Sequence, residues 1–123
     1  MQPLRILVID DSPFVYKAMK RAVEPHGHMV IGHAENGLVG LEQISQLNPD
    51  IITLDVTMPV MDGLQVLQRL EQDKLQRVIM ISAMSDMDLL KQAKGYGVNF
   101  FLNKPFQPQD VMYAIENMAE RER

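Results

Sequence analysis

The sequence predicts an α/β fold in which one five-stranded parallel sheet lies between two layers of helices. Short apolar runs of strand length recur at 5–9, 29–33, 51–54, 78–81 and 98–102. The longer segments between them carry apolar residues at helical spacing, and no Gly/Ser-rich linker interrupts the pattern. Continuous apolar strands that alternate with helices are typical of a parallel sheet covered on both faces. Right-handed crossovers then give a doubly wound (βα)5 three-layer sandwich.

The first half of the chain has clear helix signals. The run 5–9 ends at Asp10-Asp11, and Ser12 before Pro13 is the pattern of an N-cap with proline in the first helical turn. The apolar stripe of the first helix is Val15, Ala18, Met19 and Ala22. A turn at 25–27 precedes the second strand. The second helix has a weaker stripe at every third residue, Leu38, Leu41, Ile44 and Leu47.

The second half repeats the alternation of strand and helix. Asn48-Pro49 marks the turn before the third strand, and the Gly-Tyr-Gly turn at 95–97 precedes the fifth. Ser85 with Asp88 three residues later resembles a capping box for the fourth helix. The stripe of the last helix is Val111, Ala114, Ile115 and Met118. The segments therefore predict a strand followed by a helix five times over.

The composition indicates one small acidic domain. The chain has 123 residues, with 12 basic and 16 acidic side chains and a net charge of 12 − 16 = −4. A domain typically spans about 100–200 residues, so we expect a single domain over 1–123. The negative charge argues against direct binding of nucleic acid or anionic membrane, and the lack of cysteine excludes disulfides and thiolate metal sites. No apolar run is long enough for a membrane span or a signal peptide, so we expect a cytoplasmic protein.

Polar residues stand where the predicted strands end. Asp10 and Asp11 follow the first strand, Asp55 the third and Lys104 the fifth, and Ser82 ends the fourth. In a doubly wound fold the carboxyl ends of the strands meet at one edge, where function collects. Three carboxylates there repel one another, and Mg²⁺ relieves such repulsion because it prefers oxygen ligands. The three histidines have no ligand spacing, and we assign them no catalytic role.

These residue types favour phosphoryl transfer. A carboxylate is already ionised at neutral pH, so as a nucleophile it needs no general base. In-line attack on phosphorus needs positioning and charge neutralisation, which Mg²⁺ and Lys104 supply. The Ser82 hydroxyl is able to donate a hydrogen bond to the transferred group. The expected product is an aspartyl phosphate, a labile mixed anhydride that water eventually hydrolyses.

Four segments carry a family resemblance. They are ILVIDDS at 6–12, AENG at 34–37, LDVTMPVMDG at 54–63 and FLNKPF at 101–106. In this order and at these spacings they resemble the receiver domain of bacterial two-component response regulators, a flavodoxin-like fold. The likeness covers the whole chain and is greatest to the single-domain members of that family.

The resemblance implies a role for each site residue. Asp55 stands at the phosphoacceptor position. Asp10, Asp11 and Asp55 stand at the Mg²⁺ positions together with the backbone carbonyl of Thr57, and Mn²⁺ is expected to substitute. Lys104 is the phosphate-pairing lysine, and the Lys104–Pro105 bond is expected to be cis. The expected switch pair is Ser82 and Phe101.

The chain departs from the family pattern in a few positions. Phe101 stands where many relatives have tyrosine, so the ring reports its state by packing alone. Thr57 and Met84 occupy variable positions that are thought to tune dephosphorylation.

The implied function is a phosphorylation-activated signalling switch that catalyses only its own phosphorylation and dephosphorylation. A histidine kinase or a phosphotransfer protein would donate the phosphoryl group. The face formed by the fourth helix, the fifth strand and the fifth helix would then control a downstream protein or an output domain. We expect a monomer or a weak phosphorylation-dependent dimer. The alternatives are a phosphorylation-independent binding module and an aspartyl-phosphate phosphohydrolase, although 123 residues leave no room for a cap domain.

Overall fold

The computed structural model describes residues 2–83 and 86–121, and in these ranges five strands alternate with helices. The strands are β1 (Arg5–Ile9), β2 (Met29–Ala34), β3 (Ile51–Asp55), β4 (Val78–Ser82) and β5 (Phe100–Asn103). The helices are α1 (Pro13–Val23), α2 (Gly37–Leu47), α3 (Gly63–Leu67), α4 (Gln72–Leu75), α5 (Met87–Tyr96) and α6 (Pro108–Arg121), and a 3₁₀ turn spans Glu24–His26.

The strands form one parallel sheet in the order β2-β1-β3-β4-β5. Successive residues of β1 point to opposite faces, as the period of two requires. Ile6 and Val8 pack in a core with α1 and α6, whereas Leu7 and Ile9 pack in a second core with α2, α3 and α5. All of these β1 side chains are fully buried. The doubly wound sandwich predicted from the sequence is confirmed.

The third crossover differs from the expected single helix. It contains the two short helices α3 and α4, so the described chain has six α-helices rather than five. The amides of Arg69 and Leu70 bond the carbonyls of Val66 and Leu67, three residues back, and these tighter turns end α3. The expected fourth and fifth helices are therefore α5 and α6.

The fifth strand begins two residues later than the sequence indicated. Gly97 ends α5 in the left-handed region at φ 112°, and the Val98 amide bonds the Ala93 carbonyl behind it. Val98 therefore belongs to the helix end, and β5 starts at Phe100. The capping role predicted for Ser85 lies outside the described residues. Within the described ranges, no helix has the length and apolarity needed to cross a membrane.

Candidate functional site

The site lies at the carboxyl edge of the sheet, where four strands end side by side. In the parallel register Asp55 pairs with Ile81, and Ser82 pairs with Asn103. One carboxylate oxygen each from Asp10, Asp11 and Asp55 lie within 4.8 Å of one another. Parallel pairing therefore brings together acids that lie far apart in the sequence.

Three backbone amides donate the hydrogen bonds that hold the turn from β1 into α1. The Asp10 amide donates to the Ala34 carbonyl at 2.9 Å, which ties the turn to β2. The Ser12 amide donates to Asp10 Oδ1 at 2.8 Å, and Ser12 Oγ accepts from the Val15 amide as the N-cap of α1. Asp10 is fully buried, whereas Asp11 is exposed.

Asp55 is the last residue of β3 and is only 5% exposed. The loop after Asp55 is closed by a backbone hydrogen bond, in which the Gly63 amide donates to the Val56 carbonyl at 2.8 Å. A Cβ on Gly63 would lie 2.3 Å from the Asp55 carbonyl oxygen, so the start of α3 fits against this backbone only with glycine. Asp62 and Gln65 close a capping box on the same helix.

Lys104 brings a positive charge between two of the acids. Its Nζ lies 3.2 Å from Asp55 Oδ2 and 3.4 Å from Asp10 Oδ2. Its amide donates to the Ser82 carbonyl at 2.8 Å, and the Lys104–Pro105 peptide bond is cis. The side chain of Lys104 is about one-third exposed, at 31%, so the site remains open to solvent at this point.

Burial and crowding shift the pKa of each group. The pKa of Asp55 is raised to about 6, by burial first and then by the charge of Asp10, while Lys104 opposes both effects. Burial also raises the pKa of Asp10, against the lowering by the Ser12 amide and Lys104. Burial lowers the pKa of Lys104, but the charges of Asp10 and Asp55 outweigh it, so the net shift is upward. Negative charge is therefore in excess at this edge.

The residues present fit a hard divalent cation. The donor set consists of carboxylate oxygens, the ligand type that Mg²⁺ prefers. Among the described residues, the buried Asp10 Oδ2 has no hydrogen-bond donor, since its approach to Lys104 is an ion pair without hydrogen-bond geometry. A buried carboxylate oxygen that accepts no hydrogen bond from the described residues, and that lies beside two further acids, is what a cation would stabilise.

The remaining predicted residues that the structure describes lie on β4, on β5 and in the loop after β3. Ser82 is fully buried, and its Oγ has no hydrogen-bond partner in the described part of the chain. Thr57 is exposed in the loop after β3. Phe101 is half-buried on β5, with Lys94 Nζ 5.5 Å from its ring centroid. Met84 lies outside the described residues.

His33 was missed by the sequence reasoning, which gave the histidines no role. Its Nε2 lies 2.8 Å from the carbonyl oxygen of Asp10. The signal in the sequence was a polar ring near the end of an otherwise apolar strand, one residue before the Ala34 that pairs with Ile9. Spacing between histidines does not reveal a histidine whose partner is a backbone carbonyl.

Comparison with known proteins identifies the class to which this fold and site belong. The model of the response regulator receiver domain family matches residues 6–116, and the chain belongs to that family. It is 39% identical over 118 residues to the chemotaxis protein CheY of Listeria monocytogenes, covering 95% of this chain and 99% of that protein. It is 38% identical over 112 residues to CheY of Bacillus subtilis, covering 90% and 93%.

A solved structure agrees with these relatives. The CheX–CheY–BeF3–Mg²⁺ complex of Borrelia burgdorferi matches with a TM-score of 0.86 and 31% identity, covering 95% of this chain and 90% of that chain. The protein is thus a CheY-like receiver domain of two-component signalling, a signalling protein rather than a metabolic enzyme. It has an acidic pocket suited to Mg²⁺.

Proposed function

We propose that this receiver domain is switched on when Asp55 accepts a phosphoryl group in the presence of Mg²⁺. The observation that carries the proposal is the placement of Asp55, nearly buried, with Lys104 Nζ 3.2 Å from Oδ2 and two further carboxylates within 4.8 Å. The donor is a histidine kinase or a phosphotransfer protein. We also propose that 1–123 is a single receiver domain that acts in the cytoplasm.

The chemistry follows from the state of Asp55. A pKa raised by burial to about 6 leaves the carboxylate mostly ionised at neutral pH, so it attacks without a general base. A bond forms between an Asp55 oxygen and phosphorus as the bond between phosphorus and the donor's imidazole nitrogen breaks. The electron pair of that broken bond stays on the imidazole. Lys104, charged and beside Asp55, neutralises charge on the phosphoryl oxygens.

Asp10, Asp11, Asp55 and the Thr57 carbonyl are the groups proposed to hold Mg²⁺, and Mn²⁺ is expected to substitute. When bound, the ion neutralises the acids and the phosphoryl oxygens together. Water then hydrolyses the aspartyl phosphate, and the domain resets itself by autodephosphorylation.

The output begins at Ser82. Its buried Oγ, which has no hydrogen-bond partner among the described residues, gains a charge-assisted hydrogen bond once phosphate is present, which is typically worth about 1.5–3 kcal/mol. Movement of Ser82 leaves space into which the half-buried Phe101 turns, and the face of α5, β5 and α6 changes with it. A coupling of about 1–3 kcal/mol changes partner affinity from severalfold to about a hundredfold. The partner is a downstream protein or an output domain.

The test is phosphorylation by acetyl phosphate with Mg²⁺, followed by intact mass. We expect the parent to gain one phosphoryl group and Asp55→Asn to gain none. Asp73→Asn is the matched control, because Asp73 is an exposed aspartate on α4 and should leave the gain intact. A parent that stays unmodified with Mg²⁺, or an Asp55→Asn protein that is modified equally, would contradict the proposal. The first result would favour a phosphorylation-independent binding module.

A further inference from the structure

His33 lies on β2, beside β1, the strand that leads to Asp10 and Asp11. In the parallel register it pairs with Val8, and its half-buried side chain reaches the carbonyl of Asp10. A carbonyl oxygen only accepts hydrogen bonds, so at the 2.8 Å contact the Nε2 of His33 carries the proton and donates it.

The ring of His33 is held by α1 on one face. Tyr16 stacks on it with the ring centroids 4.6 Å apart and the planes 6° from parallel. Lys20 Nζ lies over the Tyr16 ring, 5.6 Å from its centroid, so a cation also contacts the aromatic pair. The direction of the Nε2–H bond is therefore set by packing between β2 and α1.

The accepting carbonyl stands at the point where the chain leaves β1 for the acidic turn. Both backbone polar groups of Asp10 bond to consecutive residues of β2. Its amide donates to the Ala34 carbonyl at 2.9 Å, and its carbonyl accepts from His33 at 2.8 Å. The first bond holds the Ile9–Asp10 peptide and the second holds the Asp10–Asp11 peptide, so the backbone is fixed on both sides of the Asp10 Cα.

We propose that His33 is a positioning residue for the divalent-cation site. It acts through the Asp10 carbonyl and holds the Asp10–Asp11 peptide in the orientation that lets both carboxylates face Asp55. The inference rests on the proposed function, since it assigns His33 a part in the same Mg²⁺ site.

Two substitutions separate the donated hydrogen bond from the packing of the ring. His33→Phe keeps an aromatic ring against Tyr16 and loses the donor. His33→Gln loses the ring and keeps an amide N–H at the same number of bonds from Cβ as Nε2. Mg²⁺ affinity is measured by isothermal titration calorimetry, and the free energy of unfolding is measured separately by urea denaturation in EDTA.

We expect the Mg²⁺ dissociation constant of His33→Phe to rise about three- to tenfold, the range of a lost neutral hydrogen bond. His33→Gln should stay within about twofold of the parent, which is the rescue by a conservative donor. The control is His28→Phe, which removes another histidine hydrogen bond, from the Leu4 amide to Nδ1, before the start of β2. It should lower stability without changing Mg²⁺ affinity.

The outcomes separate this inference from the proposed function. A parent that binds no Mg²⁺ overturns the proposed function. A parent that binds Mg²⁺ while His33→Phe binds within twofold of it overturns the positioning role, as does a loss in His33→Gln equal to that in His33→Phe. If His33→Phe does not fold, His33→Leu also lacks the donor and takes its place under the same criteria.

Discussion

Asp55 and Asp10 are buried carboxylates that Lys104 only partly neutralises. Lys104 Nζ reaches both, at 3.2 and 3.4 Å, but the one positive charge of Lys104 faces a cluster of three acids. Burial and then the charge of Asp10 raise the pKa of Asp55, so folding disfavours the ionised form of this carboxyl group. The site therefore destabilises the metal-free fold at neutral pH.

This destabilisation depends on pH with a defined sign. The pKa of Asp55 is raised by burial from 3.8 to about 6 on folding. As pH rises between these values the unfolded chain loses its proton first, so stability falls through this window and stays reduced above pH 6. The full shift corresponds to about 3 kcal/mol as an upper bound. We expect Asp55→Asn to exceed the parent in stability by about 1–3 kcal/mol at pH 7.5, with a smaller difference at pH 4.

Urea denaturation in EDTA at both pH values measures this difference. Asp73→Asn, which removes an exposed carboxylate far along the chain from the cluster, should change stability little at either pH. If Asp55→Asn is less stable than the parent at pH 7.5, the ion pair of Asp55 with Lys104 stabilises the fold by more than burial of the carboxylate destabilises it.

Individual site residues were predictable to different degrees. Asp10, Asp11, Asp55 and Lys104 could be grouped from the sequence, because parallel strands bring their carboxyl ends to one edge. The hydrogen bonds that orient them could not. The Ser12 amide bond to Asp10 and the His33 bond to the Asp10 carbonyl depend on side-chain rotamers and strand register, which residue types alone do not determine.

The connection from β3 to α3 contains a residue with a strained backbone conformation. Val60 has φ 68°, in the left-handed region, and is 75% exposed. A β-branched side chain in this region is an outlier that costs about 1–3 kcal/mol. Glycine removes the strain but loses more entropy on folding, by about 0.5–1 kcal/mol.

We therefore expect Val60→Gly to stabilise the protein by about 0.5–1.5 kcal/mol. Val60→Ala, which keeps a Cβ but not the branch, should fall between the parent and glycine. The comparison is made from urea midpoints at constant pH in EDTA. A loss of stability in Val60→Gly would mean that the packing of the valine side chain stabilises the fold by more than the backbone strain costs.

Gly63 tests how closely α3 must approach the phosphoacceptor strand. A Cβ at this position would lie 2.3 Å from the Asp55 carbonyl oxygen and 3.0 Å from Val56 Cα, and backbone is unable to move aside cheaply. We expect Gly63→Ala to lower the free energy of unfolding by about 2–4 kcal/mol, as overpacking against backbone does. Phosphorylation of Asp55 should slow as well.

Gly95 is the matched control for that substitution. It lies within α5, and a Cβ there meets nothing within 4 Å. Gly95→Ala should stabilise the protein by about 0.5–1 kcal/mol through helix propensity. Thermal or urea denaturation of both alanine variants decides the matter, and equal effects at the two positions would contradict the close-approach argument.

At the scale of elements, the sequence indicated the order of strands and helices but not every boundary. Ser12-Pro13 marked the start of α1 because capping chemistry is local. The division of the third crossover into α3 and α4 was not predicted. It depends on the amides of residues 69 and 70, which bond to carbonyls three residues back rather than four. Val98 was placed in a strand because its apolar side chain is buried in either role.

The molecule has two hydrophobic cores, one on each face of the sheet, and the site lies at the carboxyl edge of that sheet. Asp10 and Asp11 lead into α1, which packs in one core, whereas the loop after Asp55 packs in the other core with α2, α3 and α5. A cation that bridges these acids ties together elements that pack on opposite faces. Binding at this edge should therefore stabilise the fold as a unit.

Mg²⁺ is expected to raise the urea midpoint by mass action on the native state. The gain is about 2.7 kcal/mol when free Mg²⁺ reaches a hundred times its dissociation constant. The effect of Asp11→Ala on stability should differ between the metal-free and the Mg²⁺-bound protein. In EDTA it should be more stable than the parent, because the charge of Asp11 adds to the repulsion felt by Asp10 and Asp55. With Mg²⁺ it should gain less, because a ligand is missing.

The four measurements, parent and Asp11→Ala with and without Mg²⁺, form a thermodynamic cycle. Its coupling energy reports the contribution of the Asp11 carboxylate to metal binding, free of its effect on the metal-free fold. Ca²⁺ at the same concentrations tests ion preference. A site with few carboxylates suits Mg²⁺, because this ion keeps several of its water ligands. If Asp11→Ala is less stable than the parent in EDTA, Asp11 holds its turn together by local bonds, and repulsion among the three acids is not what the cation relieves.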